Sequence, residues 1–437
     1  MNKSINRRKL LAGTVAISAA VCSSKTAPAK DNDDNKKLDK TADQLRRGNS
    51  PWPVWSDNDE SGLVGVLNTG HWGRLSGDRV AKFEKVWAEK MQAKHCIATS
   101  SGTTALLTAL GALNIGPGDE VIMPPYTFVA TFNVITNSYA LPVFVDSDIE
   151  SFQIDPKKIG AAINSNTKLL LPVHIGGSPF DVDAMKAIST DKKIPFIEDA
   201  CQAHLASWRG RPVGNHGLGG CFSFQASKNL NSGEGGAVLT NDDEFANLCY
   251  NFHTPGGPKP VPSQGRGANF RMTEFQGTML LSQFERVEKQ SQQREQNAKY
   301  LSEMLSKIPG ISPAKLYDGV DRSAWHLYMF RYDKSKFGGV SKDVFLAELS
   351  KEKVAASGGY AQLNLAKHVV ALATNPHYQK IYGADFMAKW GERNKCPIND
   401  QLCSEAIWLG QTALLVDRSE MERIASSIEK IQRKLSV

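Results

Sequence analysis

One lysine in a turn of small residues carries the most chemistry in this chain. Lys228 lies in Phe222-Ser-Phe-Gln-Ala-Ser-Lys-Asn-Leu-Asn-Ser-Gly-Glu-Gly-Gly236, where the apolar run Gly220 to Phe224 delivers it into a turn rich in Ser, Asn and Gly. Lysine is rarely buried, so a surface ammonium is its ordinary fate. Enclosed away from water it gives up its proton and can attack an aldehyde to form an imine. Asp199 follows the apolar run Ile194-Pro-Phe-Ile197 and Glu198, which puts it at a strand end. Taken alone, such an aspartate is more often a helix cap or half of an ion pair. Ser100-Ser-Gly102-Thr103-Thr-Ala-Leu106 opens an apolar stretch with small hydroxylated residues. It reads as an N-cap, and the free N–H groups of a helix start make an anion site. An imine-forming amine, a carboxylate and an anion site together point to pyridoxal phosphate. Lys228 would join its C4′, and Asp199 would face the ring nitrogen and favour its protonated form.

Taken in order, these stretches resemble the DegT-type sugar aminotransferases. The resemblance runs through Gly77–Leu110, Gly116–Asp146, Val173–Met185, Glu198–His204, Gly220–Thr240 and Asn269–Gln276, and covers most of residues 50–430. It implies an α/β chain with the type I, aspartate aminotransferase-like fold: a mostly parallel central sheet flanked by helices, plus a smaller C-terminal α/β domain. It also implies that Gly102 and Thr103 hold the cofactor phosphate with Ser223 as a further ligand, that Gln202 meets the ring hydroxyl, and that His204 gives local support. Pro125-Tyr126-Thr127-Phe128 matches the segment that lays an aromatic ring over the cofactor. Phe128 is assigned that place, with Tyr126 as the alternative and a plain core aromatic as the simpler reading. Asn269, with Arg271 beside it, matches the segment that reaches a neighbouring subunit's site, so a homodimer with shared active sites is expected; a cap for the following helix is the simpler alternative.

The activity the resemblance implies is that of a pyridoxal 5′-phosphate-dependent aminotransferase. It would move an amino group from glutamate or glutamine to a keto-sugar, free or nucleotide-linked, or to a cyclitol ketone. Lys228 would bind the cofactor and, once displaced, carry a proton between the substrate carbon and C4′. A branch of the family with His at this place performs dehydration; this chain keeps Lys, though dehydration or other chemistry with the same cofactor is the nearest alternative. A non-catalytic exported sugar- or cofactor-binding protein is a third reading, and it has no use for Lys228, Asp199 and Gln202 together. The family's His-Leu-Tyr-Gly is here His174-Ile-Gly-Gly177, a change expected to open the substrate pocket or alter its sugar contacts. The C-terminal stretches Trp325-His326-Leu-Tyr328 and Gly358-Gly-Tyr360 match more weakly.

The elements that must position these residues show as patterns. Val80, Phe83, Val86 and Trp87 mark a helix running from Gly77 toward Lys94. Short apolar runs follow at 121–123, 143–145, 169–173, 194–197, 221–224 and 237–239, with helical patterns at 156–163 and 182–188 between some of them. Strands separated by amphipathic helices predict a two-faced, mostly parallel sheet with ligands beyond the strand ends. A long helical region, 273–308, joins a large cofactor-binding domain (50–320) to a small C-terminal domain (321–437). The small domain carries a strand at 325–332, a helix at 342–351 and a terminal amphipathic helix at 418–435.

Composition narrows the class. With 41% apolar and 22% charged residues, the 437-residue chain reads as a globular enzyme. Five units of its net charge of +7 come from Lys3, Arg7, Arg8, Lys9 and Lys25, with no acid in residues 1–29. The remainder shows no basic stripe with interleaved aromatics, which argues against nucleic-acid binding. Residues 1–29 read as a signal peptide with the paired arginines of the twin-arginine type, and Ala27-Pro-Ala29 offers a cleavage site. The apolar stretch from Leu10 to Val21 is too short to span a bilayer, so no stable membrane insertion is expected after its removal. The expected location is exported, periplasmic; without a working leader it is cytoplasmic. Val21 disfavours Cys22 as a lipid anchor. Residues 30–49 read as a charged, flexible linker. The seven cysteines show neither CxxC pairs nor a disulfide spacing and read mostly as buried thiols. No residues at metal-ligand spacing stand out, and no metal is expected.

Overall fold

The structure, a computed structural model, describes residues 52–255, 259 and 265–436. The expected leader (1–29) and linker (30–49) lie outside the described residues. Seven strands build the main sheet: β1 (His95–Thr99), β2 (Glu120–Met123), β3 (Leu141–Phe144), β4 (Thr167–Leu170), β5 (Ile197–Asp199), β6 (Gly219–Ser223) and β7 (Gly236–Thr240). β3, β2 and β4 pair in parallel, as do β5 and β6. Parallel bridges Leu170–Phe196 and Val173–Asp199 lay β4 alongside β5, so the order is β3-β2-β4-β5-β6-β7-β1. β7 alone runs against its neighbours, antiparallel to both β6 and β1. The mostly parallel sheet expected from the apolar runs is therefore present. Every residue of β2, β3, β6 and β7 is buried, as a sheet covered on both faces requires.

Helices cover the two faces. On one, α1 (Arg79–Lys90) buries Val80, Phe83 and Trp87, and the Trp87 ring meets Phe222 edge-on at 5.3 Å. On the other, α2 (Gly102–Ala112) packs Ala105, Leu106 and Leu110 with Val121, Ile197 and Val238. A short helix, α3 (Ala130–Asn137), follows the loop after β2. The long α4 (Glu274–Leu305) starts at a reciprocal cap, in which Thr273 and Gln276 exchange side-chain and backbone hydrogen bonds. Beyond it, β8 (Ile311–Pro313), β9 (Leu327–Tyr332) and β10 (Ala406–Gly410) form an antiparallel sheet in the order β8-β9-β10. Its core joins Leu301, Phe330, Phe345 and Ile428. The terminal helix α5 (Arg418–Leu435) buries Met421, Ile424, Ile428 and Ile431 at the three- and four-residue spacing of one helical face. The strand expected over 325–332 starts only at Leu327, because Trp325 adopts a left-handed φ of 51°. No helix among the described residues is long and apolar enough to cross a membrane.

Candidate active site

A cavity of about 610 Å³ lies beyond the carboxyl ends of β1, β2, β5 and β6, where parallel sheets place ligands. Seven of the expected residues line it: Lys228, Asp199, Gln202, Gly102, Thr103, Phe128 and Ser223.

The start of α2 forms one wall. Ser101 Oγ accepts the Thr104 N–H at 3.1 Å, and Thr104 Oγ1 accepts the Ser101 N–H at 2.8 Å. This reciprocal cap leaves the N–H groups of Gly102 and Thr103 without a partner among the described residues. A side chain at position 102 would put its Cβ 2.5 Å from Ser223 Cβ and 3.1 Å from Cys201 Sγ. Glycine is therefore the residue that lets the helix start approach the end of β6.

Asp199 ends β5 and is 4% exposed. Its Oδ2 accepts from Thr131 Oγ1 at 2.9 Å and its Oδ1 from the Cys201 N–H at 3.2 Å, so the carboxylate is fixed from two sides. Glu198, one residue earlier on the strand, bonds an entirely different set of groups. Its oxygens accept from His174 Nε2 at 2.9 Å and from the N–H groups of Gly214, His216 and Gly217 at 2.7, 2.6 and 2.9 Å. Burial alone would raise the Glu198 carboxyl, but the hydrogen bond and charge of His174, with His216 and the Gly214 N–H, hold it down at about 2.

Lys228 sits in a closed turn: its N–H donates to Gln225 O at 2.8 Å, and Ser232 N–H donates to Phe224 O at 2.9 Å. Its amine makes no hydrogen bond or ion pair among the described residues. Burial pushes the ammonium below the ordinary lysine range, against the opposing pull of nearby Cys201 and Asp199. Gln202 Oε1 accepts the Gly176 N–H at 2.8 Å, and its Nε2 donates to Tyr360 Oη at 2.9 Å. His204 donates from Nε2 to Ser223 O at 2.8 Å. Burial, with the charge of Lys228, brings its pKa down to about 3, so it is a neutral prop under the end of β6.

The structure separates Phe128 from Tyr126. Phe128 is 57% exposed and faces the cavity, whereas Tyr126 is 1% exposed and packs edge-on against Phe152 at 5.7 Å. One expectation is corrected. The glycine that replaces the family's aromatic at position 176 does not open the pocket, because its Cβ position lies 2.5 Å from Met329 Cε. Met329 has taken the space. Asn269 is exposed, accepts the Arg271 N–H at 3.4 Å, and does not line its own chain's cavity.

Residues 56–429 match the DegT/DnrJ/EryC1/StrS aminotransferase family. The chain belongs to that family. 3-Amino-5-hydroxybenzoate synthase of Amycolatopsis mediterranei (strain S699) is 31% identical to this aminotransferase over 390 residues, 86% of this chain and 95% of that one. L-Glutamine:2-deoxy-scyllo-inosose aminotransferase of Micromonospora echinospora is 32% identical over 406 residues, 87% of this chain and 94% of that one. The crystal structure of 3-amino-5-hydroxybenzoic acid synthase superposes with a TM-score of 0.76 at 30% identity, covering 88% of this chain and 98% of the other.

The aminotransferase also lines its cavity with residues that sequence reasoning left unassigned. Thr131 grips Asp199, and Cys201 Sγ lies 3.1 Å from where a Cβ at position 102 would sit. His326, Tyr360 and Trp408 come from the C-terminal part, with the Tyr360 and Trp408 rings edge-on at 4.6 Å. For His326 and Tyr360 the only signal was the weak family match. Thr131 could have been found by its place one turn after Thr127, with which it shares a 3.0 Å hydrogen bond.

Proposed function

We propose that this DegT-family aminotransferase binds pyridoxal 5′-phosphate in the cavity and moves an amino group from glutamate or glutamine to the ketone of a sugar, free or nucleotide-linked, or of a cyclitol. One juxtaposition carries the reading: a buried lysine amine shares a cavity with a doubly hydrogen-bonded buried aspartate and a helix start with two N–H groups, the amine and both N–H groups having no partner among the described residues. The residues fit the cofactor, since the donors of Gly102 and Thr103, unpartnered among the described residues, suit a phosphate, and the absence of a side chain at 102 brings the Ser223 hydroxyl close beside them. When bound, the cofactor supplies an aldehyde carbon for amines and a ring that draws electrons from the substrate carbon.

The chain's own residues divide the remaining work. The N–H groups of Gly102 and Thr103, with the Ser223 hydroxyl, hold the phosphate. Asp199, fixed by Thr131 and the Cys201 N–H, presents its carboxylate to the protonated ring nitrogen. Gln202 meets the ring hydroxyl, and Phe128 covers the ring face. Lys228 would anchor the cofactor through its amine and, once an amine substrate has displaced it, would carry the proton taken from the substrate carbon. Asn269 serves the cavity of a second copy in a homodimer. The relatives' names, an inosose aminotransferase that uses L-glutamine among them, support a donor of the glutamate–glutamine class and a cyclic ketone as acceptor.

Borohydride tests this reading. Treatment of the cofactor-loaded enzyme should fix the cofactor to the peptide containing Lys228, and Lys228→Ala should abolish both the fixation and transamination. An enzyme fixed at another residue, or a Lys228→Ala variant that still turns over, would refute it.

A further inference from the structure

Tyr360 lines the cavity from a loop that is clamped to β10. Ser357 N–H donates to Trp408 O at 2.9 Å, and Trp408 N–H returns a bond to Ser357 O at 3.0 Å. Lys342 Nζ donates to Gly358 O and to Cys403 O, both at 2.6 Å, which ties the loop to the approach of the same strand. The Tyr360 ring stands edge-on to Tyr126 at 5.4 Å and to Trp408 at 4.6 Å. Backbone and ring together leave its hydroxyl one place in the wall.

The bonds at Gln202 decide where the Tyr360 hydrogen goes. The Gly176 N–H can only donate, so the atom facing it at 2.8 Å must be the Gln202 oxygen. The amide nitrogen then faces Tyr360 Oη at 2.9 Å, and an amide nitrogen cannot accept. Tyr360 is therefore the acceptor in that bond and keeps its own hydrogen. Burial pushes its pKa up to about 12, so the hydrogen is in place at neutral pH. It finds no acceptor among the described residues. The indole N–H of Trp408, half-buried beside it in the wall, donates to none of them either.

The cofactor's ring oxygen is out of reach of that hydroxyl. Two acceptors on one amide nitrogen, about 120° apart and each about 2.9 Å away, lie about 5 Å from each other. With Tyr360 Oη on one N–H of Gln202 and the ring oxygen on the other, the unspent hydrogen is left for the substrate. The carboxylate of an amino donor suits this wall poorly. It calls for Arg or Lys, and Lys228, already given to the cofactor, is the sole Arg or Lys among the described residues lining the cavity. Neutral donors carried on aromatic rings suit the oxygens and the C–H groups of a polyhydroxylated ring. We propose that Tyr360 and Trp408 form the subsite for the acceptor's ring, the Tyr360 O–H and the Trp408 N–H donating to its oxygens while their aromatic rings pack against its C–H groups. No bond is made or broken in this contact. The inference rests on the function proposed for the cavity and narrows its acceptor to a ring that bears hydroxyl groups.

Binding without turnover tests this. In its pyridoxal form the enzyme has no amino group to give, so 2-deoxy-scyllo-inosose can be titrated onto the full-length, cofactor-loaded protein and its Kd read by saturation-transfer NMR. Cyclohexanone, the same ring without hydroxyl groups, is titrated alongside. Tyr360→Phe keeps the ring and loses the hydroxyl; Trp408→Phe keeps an aromatic face and loses the indole N–H. Each should raise the inosose Kd about 5- to 10-fold, and if one variant fails to fold the other still decides. Tyr360→Phe should leave the cyclohexanone Kd and the rate of the half-reaction with L-glutamate or L-glutamine where they were. An inosose Kd unchanged in both variants overturns the proposal, as does a wild type that does not bind the inosose. A Tyr360→Phe loss of equal size for the two rings overturns it in favour of packing, and a matching loss in the half-reaction overturns it in favour of a contact to the amino donor. Failure of the wild type to be fixed by borohydride on Lys228, with inosose binding intact, instead sinks the function proposed for the cavity.

Discussion

Glu198→Gln tests whether the strand that delivers Asp199 depends on the charge beside it. Glu198 is fully buried and accepts four hydrogen bonds, two on each oxygen. A glutamine has one oxygen and one amide nitrogen, so wherever the oxygen is placed, the nitrogen faces groups that also donate. Placing the oxygen toward His216 and Gly217 orphans the Gly214 N–H and sets two donors against each other at His174. Each buried unsatisfied donor costs about 1–3 kcal/mol, and losing one partner of a buried charged network costs about 3–5 kcal/mol; the variant should therefore lose about 2–5 kcal/mol. The pH dependence has a definite sign. Because the folded carboxyl is held at about 2, below its ordinary 4.5, its contribution is fully present above pH 4.5 and is lost as pH falls toward 2. The gap corresponds to about 3 kcal/mol in total. Urea unfolding of both apo-proteins at pH 7 and pH 3 measures this. The difference between them should be largest at pH 7 and about 2 kcal/mol smaller at pH 3. A variant within about 0.5 kcal/mol of wild type at pH 7, or a gap unchanged at pH 3, would show that the network is not held by charge.

Thr131→Val removes one of the two hydrogen bonds on Asp199. A bond to a charged group is worth about 1.5–3 kcal/mol, so the cofactor Kd, read by fluorescence titration of the apo-protein, should rise about tenfold or more; an unchanged Kd would mean that Asp199 needs no help from Thr131. Gly102→Ala forces a methyl group to within 2.5 Å of Ser223 Cβ. Overpacking of this kind costs about 1–3 kcal/mol, and the helix start should be pushed off the phosphate position. Both the thermal midpoint and cofactor affinity should fall, and a variant with wild-type affinity would remove Gly102 from the cradle.

What could be read from the residues depended on how local the cause was. β2, β3, β6 and β7 announced themselves as apolar runs because strands buried on both faces need no alternation. β1 went unread: His95-Cys-Ile-Ala-Thr99 directly follows a strong helical pattern and only Ile97 to Thr99 are buried. The reversal of β7 was equally invisible, since periodicity reports burial and not strand direction. In the cavity, Lys228, Asp199 and Gly102 were legible because each sits in a short segment whose neighbours dictate its place. Trp408 was not, because its presence there is decided by the pairing of β10 with β9, some eighty residues away in the chain. Gly176 misled for the same reason: the methionine that fills its space belongs to β9.

The cavity's walls are drawn from Ser101 at one extreme to Trp408 at the other, so no short stretch of the chain contains it. Whatever settles there is released when the segments that wall it come apart, and its affinity is therefore credited to the endurance of the whole fold rather than to one loop. A ligand present at a hundredfold above its Kd would add about 2.7 kcal/mol against global unfolding. Vitamin supply would thus govern not only how many molecules are active but how many survive proteolysis.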